Sequence, residues 1–195
     1  MDKYTKETVA RVKEAFKNHK ATLTECGNGI SILQWSRPNT NCYAIRYVMD
    51  GGRLYITGDL GEAVFCLTWK ATVNSFKDVS FDYFHEKLQA IKRGEDYDFS
   101  EEKAIESIKY YFGDSQEEWG DEERDYYQEL LDAPKDCNSP DNWAFWLNTH
   151  DGWSDINPDA CEWLYDCGNI YSFWFIAYLI GLKMAAAQLA EQAAK

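Results

Sequence analysis

"ISILQWSRPNTNCYAIRYVMDGGRLYITGDLGEAVFCLTW", residues 30–69, contains four runs rich in β-branched and aromatic residues: Ile30–Ser36, Asn41–Met49, Arg53–Gly58 and Ala63–Trp69. Between them stand Arg37-Pro38-Asn39, Asp50-Gly51-Gly52 and Gly58-Asp59-Leu60-Gly61, the residue types that reverse a chain in a few steps. Four strands joined by tight turns predict an antiparallel meander. In the second, Tyr43, Ile45 and Tyr47 alternate with Ala44, Arg46 and Val48, so one face is expected to be buried and the other mixed.

Outward from this meander the period changes. Val9, Val12, Ala15 and Phe16 recur at helical spacing and predict an amphipathic first helix over Tyr4–Lys20. Ser80 caps a helix over "SFDYFHEKLQAIK", with Phe81, Phe84, Leu88 and Ile91 on one face to cover the sheet. "RGEDYDF" reads as a polar linker. Beyond it Ser100, the Ser115/Glu118 capping-box spacing, Ser139-Pro140 and Asn157-Pro158 mark helix starts. The fold class expected is therefore α+β: an N-terminal helix, a four-stranded antiparallel sheet with a covering helix, and an acidic helical half. The two parts are 1–93 and 94–195, the second organised around the apolar C-terminal helix, unless the two form one continuous domain.

The 195 residues are 45% hydrophobic and 16% aromatic, enough for a real core and unlike a disordered acidic chain. The net charge of −13 is unevenly spread: residues 1–93 carry 14 Lys+Arg against 10 Asp+Glu, net +4, and residues 94–195 carry 6 against 23, net −17. Such a balance opposes direct nucleic-acid binding and favours basic partners. The start of the chain is amphipathic and charged and predicts no signal peptide, hence a cytoplasmic protein. The apolar run Ile170–Leu182 is about thirteen residues and stops at Lys183, short of the ~20 that span a bilayer, so no membrane is expected. The helical tail "KMAAAQLAEQAAK" is suited to packing on the domain or on a second copy, as a homodimer. Six cysteines without a CxxC pair, and histidines not spaced as zinc ligands, predict reduced thiols and no structural zinc.

Several residues invite a functional reading. Asp59 and Glu62 lie in a glycine-flanked turn and are the first candidates for a metal or an acid/base pair; the turn alone also explains them. Asn148, Asp151, Asp155, Asn157 and Asp159 are oxygen-bearing, but counting from Asp155 puts Ala160 and Asp166 where an EF-hand needs Gly and Glu. No nucleophile elbow, zincin or kinase motif is present, so no catalytic residue and no cofactor is assigned. Arg37, Arg46, Arg53 and Lys70 lie beside Trp35, Tyr43, Tyr55 and Trp69 on the strands, a pattern that stacks single-stranded nucleic acid in an accessory protein. The stretch Ser115–Asp132 holds eight carboxylates and one cation, Arg124. On a helix, Glu118, Glu122, Asp125, Glu129 and Asp132 share one face. The partner-binding surface expected is Glu117, Glu118, Asp121, Glu122, Asp125 and Glu129, with Trp119 and Tyr126 or Tyr127 as aromatic anchors where they are exposed.

The motif order W-x-R-P-x-T, a Y-x-I-x-Y strand and T-G-D-L-G-E-A, within Trp35–Trp69, resembles small uncharacterised proteins of phages and prophages of Firmicutes. The resemblance implies a mobile-element origin. Small acidic proteins of that class are similar to anti-CRISPR proteins, which inhibit the Cas9 nuclease, some by mimicking DNA charge. The function expected is thus a non-catalytic inhibitor. Its partner would be a basic nucleic-acid-handling host protein such as a Cas nuclease. The alternative is a small metal-assisted enzyme using Asp59 and Glu62.

Overall fold

The computed structural model describes residues 1–92, 96–113, 119–150 and 152–194, without the side chains of Asp155 and Ile156. The chain divides into two compact units: Met1–Asp96 with Tyr171–Lys195, and Tyr97–Ile170. This replaces the expected division at 93/94. The C-terminal helix belongs with the sheet, and the acidic segment is an insertion between the sheet and that helix.

The first unit begins with α1, Lys3–Phe16, whose first turn is closed by Asp2 Oδ1 accepting from the Thr5 amide at 2.8 Å. Six strands follow in consecutive antiparallel order: β1 Lys20–Gly27, β2 Ile30–Ser36, β3 Ile45–Asp50, β4 Arg53–Gly58, β5 Glu62–Cys66 and β6 Leu88–Lys92. The four central strands are those of the expected meander, and the sheet is two wider. β1 shares only Lys20 with the segment read as the first helix and otherwise forms where no element is expected, and β6 occupies the second half of the segment read as the covering helix. That helix is only α2, Phe81–Glu86. Both additional strands lie at sheet edges and expose most of their residues, so neither has the alternation that a buried face imposes.

Register sorts the side chains into two faces. Leu23, Leu33, Tyr47, Ile56, Ala63 and Ile91 are aligned across all six strands, next to the row Ser31, Met49, Leu54, Phe65 and Leu88. These rows form the inner face, and Leu33, Tyr47, Met49, Leu54, Ile56 and Phe65 are fully or almost fully buried. On the outer face the equivalent rows hold Thr22, Gln34, Arg46 and Thr57, then Thr24, Ile32, Val48, Tyr55 and Val64.

The inner face is covered by α7, Phe173–Ala193, started by the buried Ser172, whose hydroxyl accepts from the Phe175 amide at 3.1 Å. By length and composition this helix could cross a bilayer, and more than half of its most apolar stretch is buried in the protein. The apolar run ends at Lys183, and the helix continues through the tail that follows it. Lys183 lies within the helix, its ammonium donating to the Val79 carbonyl at 2.7 Å, and burial lowers its pKa against the charge of Asp78. Phe175 through Leu182 are all buried, so the helix is apolar around most of its circumference, as a central core helix must be.

The second unit contains β7 Tyr97–Phe99, α3 Glu101–Phe112, α4 Asp121–Asp132, α5 Pro140–Thr149, α6 Trp153–Ile156 and β8 Asn169–Tyr171, which pairs with β7. Its core is formed by Ala104, Ile108, Phe112, Tyr127, Leu130, Trp143, Leu147, Trp153 and Leu164. Ser100 and Ser139 cap α3 and α5 as expected, whereas Asn157-Pro158 starts a short 3-10 helix, Pro158–Glu162. The Ser115/Glu118 capping box lies outside the described residues.

Candidate functional site

The insertion concentrates the charge. Tyr97–Ile170 holds 4 Lys+Arg against 20 Asp+Glu, net −16, while the rest of the chain is net +3. Among the described side chains of this unit every Asp and Glu is exposed except Glu123, which is half-buried. Acids stay out of a core built from aromatic and aliphatic residues because an unpaired buried carboxylate costs several kcal/mol. With so few cations in the unit, most remain at the surface without neutralisation.

The expected row on α4 is present from Glu122 onward. Glu122, Asp125, Glu129 and Asp132 are exposed and span about 15 Å at ~1.5 Å per residue. Glu117 and Glu118, also assigned to the surface, lie outside the described residues. The helix starts later than expected, after Gly120, which makes Asp121, Glu122 and Glu123 its first turn. Acids there gain about 0.3–1 kcal/mol each from the helix dipole, so local energetics account for them. At the other end Asp132 pairs with Lys135 and accepts from Gln128, contacts that hold its carboxyl below the usual range. Asp125 and Glu129 have neither an ion pair nor a side-chain hydrogen bond among the described residues.

The expected aromatic anchors are engaged within the unit. Trp119 packs at 5.1 Å from Tyr127 and 6.1 Å from Phe112, and Tyr126 donates its hydroxyl to the His150 carbonyl at 2.5 Å. Both are partly buried against the core of the unit, and Tyr127 is buried within it. The exposed aromatics here are Tyr110 (80%), Phe145 (69%) and Tyr111 (48%). Tyr111 stacks on Trp163 at 4.2 Å. Phe145 was legible in principle, because Trp143 and Leu147 at i and i+4 fix the inner face of α5 and leave position 145 opposite.

The turn that holds Asp59 and Glu62 is tied into the sheet. Asp59 Oδ2 accepts from the Tyr43 amide at 2.7 Å, and the Asp59 amide donates to the Ala44 carbonyl at 2.9 Å. Glu62 is exposed and faces Lys92 across the strands at 3.8 Å. Gly58 is required here: its φ is +140°, and a Cβ would lie 2.2 Å from the Ala44 oxygen. Asp59 therefore holds backbone. Among the described residues no group of three or more His, Cys, Asp or Glu is arranged to hold a metal. In the oxygen-bearing segment, Asn157 caps the Asp159 amide at 3.0 Å and Asn148 accepts from the Tyr165 hydroxyl at 2.8 Å, while Asp151 lies outside the described residues.

The basic strand residues do not make a stacking platform either. Trp35 is 1% exposed in the core, and Trp69 is stacked on Tyr83 at 5.5 Å. Arg46 donates to Gln34 on the neighbouring strand at 3.2 Å. Only Tyr55 remains exposed on this face among the four aromatics named.

Comparison with protein-family models, curated proteins and solved structures finds no match to this chain.

Proposed function

We propose that this protein works by binding and not by catalysis, as an inhibitor of a basic nucleic-acid-handling protein of the anti-CRISPR kind, through its inserted acidic unit. The observation that carries the reading is the confinement of a net −16 to one compact unit, on which almost every described carboxylate is exposed. A surface of this kind competes for the groove that tracks a phosphate backbone, since both present closely spaced negative charge. Asp125 and Glu129, in no ion pair or side-chain hydrogen bond among the described residues, are its centre, flanked by Asp121 and Glu122. Tyr110 and Phe145 supply exposed aromatic area of the type that becomes an interface hot spot.

The direct test is competition. Purified protein is titrated into a gel-shift mixture of Cas9 nuclease and labelled target DNA. Release of free DNA, together with no shift when the protein meets DNA alone, supports the proposal. A shift of DNA by the protein itself, or undisturbed nuclease–DNA complex at saturating protein, refutes it.

A further inference from the structure

The geometry points to a second binding site, in the first unit and independent of the acidic surface: a cleft that takes a small phosphate monoester bearing a ring. The cleft has a volume of ≈ 650 Å³, within the range of pockets that hold small molecules, and it lies between α1 and the loop that joins β2 to β3. Arg11 and Lys17 line it from α1, and Arg37, Cys42 and Tyr43 from the loop. Lys17 pairs with Glu14, which removes one cation and the one acid of the lining from the balance. Arg11 and Arg37 remain, both exposed and neither in an ion pair among the described residues. The Arg11 guanidinium is held over the Phe173 ring at 5.7 Å. Guanidinium groups prefer oxyanions that accept two parallel hydrogen bonds, and phosphate offers the most such oxygens.

The loop is strained and locked. Asn39 and Tyr43 have φ of 63° and 57°. The left-handed region costs a non-glycine residue roughly 1–2 kcal/mol, and a bulky aromatic occupies it rarely. Tyr43 is gripped on both sides: its amide donates to Asp59 Oδ2 at 2.7 Å, and its carbonyl lies 3.1 Å from Nε2 of the buried His19. The His19 ring is itself wedged between Phe16 at 4.7 Å and Trp35 at 5.5 Å. Strain retained by this many contacts preorganises a surface, and here it fixes Tyr43 and Cys42 in the wall facing α1. Tyr43, Ala10 and Ala15 give the cleft an apolar side for the ring of the ligand.

The experiment is calorimetric titration of the full chain with phenyl phosphate, inorganic phosphate and benzoate, read beside amide NMR shifts of Cys42 and Tyr43. Expected are saturable binding of phenyl phosphate, weaker binding of inorganic phosphate, and benzoate at least about tenfold weaker than phenyl phosphate. Arg11→Gln and Arg37→Gln are each expected to weaken phenyl phosphate about tenfold, and Arg46→Gln, on the outer sheet face, to change nothing. All three are exposed, so unchanged thermal unfolding verifies the fold. No saturable binding of phenyl phosphate, benzoate binding equally well, or full affinity in both cleft variants overturns the site.

Discussion

At the scale of single residues, the tightest constraint is where α7 meets the sheet. A Cβ on Gly181 would lie 2.3 Å from the Tyr47 hydroxyl and 3.3 Å from Trp35 Cδ1. That hydroxyl cannot retreat cheaply: Tyr47 is fully buried and donates to the Tyr178 carbonyl at 3.0 Å, while Tyr178 donates to the Leu60 carbonyl at 2.8 Å. Gly181→Ala is therefore expected to destabilise despite the better helix propensity of Ala. Overpacking costs about 1–3 kcal/mol against a gain of roughly 1 kcal/mol. Denaturant unfolding measures the difference, and Tyr47→Phe in the same chain should recover part of it. His19 supplies a pH signature. Burial lowers its pKa, the hydrogen bond to the Tyr43 carbonyl opposes this, and the charge of Arg37 adds to the lowering. The unfolded chain then binds the extra proton just below its own value of about 6.5, so stability is complete above that pH and declines as pH falls toward the folded pKa. His19→Gln should flatten this part of the stability–pH curve; an unchanged slope would exclude His19 as its source. Cys167 differs from the other thiols, as burial raises its pKa to about 12. At pH 8 a thiol reagent should titrate the exposed Cys26, Cys42 and Cys161 promptly and reach Cys167 only on unfolding.

Among the elements, what the sequence made legible follows burial. The strands β2 to β5 have a buried face, and their alternation and glycine-marked turns are visible in the chain. The edges β1 and β6 carry little alternation: "LQAIK" continues the helical pattern before it and reads as helix, and "KATLTECG" shows no period that marks it as a strand. Edge strands need a partner to discourage further pairing. For β1 it comes from the far end of the chain: Gln188 on α7 accepts from the Ala21 amide at 2.7 Å and donates to the His19 carbonyl at 3.2 Å. The helical tail thus docks on its own sheet. Gln188→Ala should cost about 1 kcal/mol and accelerate hydrogen exchange of the Ala21 amide, with the centre of β3 unaffected. In α4 the acid row was legible by spacing. The onset of the helix at Asp121 was not, because Gly120 caps it without a side-chain signal. The partial burial of Trp119 and Tyr126 is not legible, because an acidic sequence context hides how much aromatic area the small second core requires. Tyr110 and Phe145 hold the exposed positions.

For the molecule as a whole, the charge asymmetry was visible from counting, and the structure sharpens it from halves to units. A boundary near residue 95 follows from the polar linker. The return of the chain to the sheet after residue 170 does not, since a helix apolar on most sides carries no mark of which core it fills. Once α7 is assigned to the sheet, the remaining 97–170 segment is almost purely acidic at its surface. The most direct measurement is the affinity of the chain for DNA-free Cas9 nuclease across about 0.05–0.5 M salt, for the native sequence and for the Glu122→Lys, Asp125→Lys, Glu129→Lys triple variant. Affinity that falls steeply with salt, and drops at least about tenfold with a flattened slope in the triple variant, is the expected result. Absence of binding at the lowest salt, or equal and salt-independent affinity in both proteins, would contradict the assignment of function to the acidic unit.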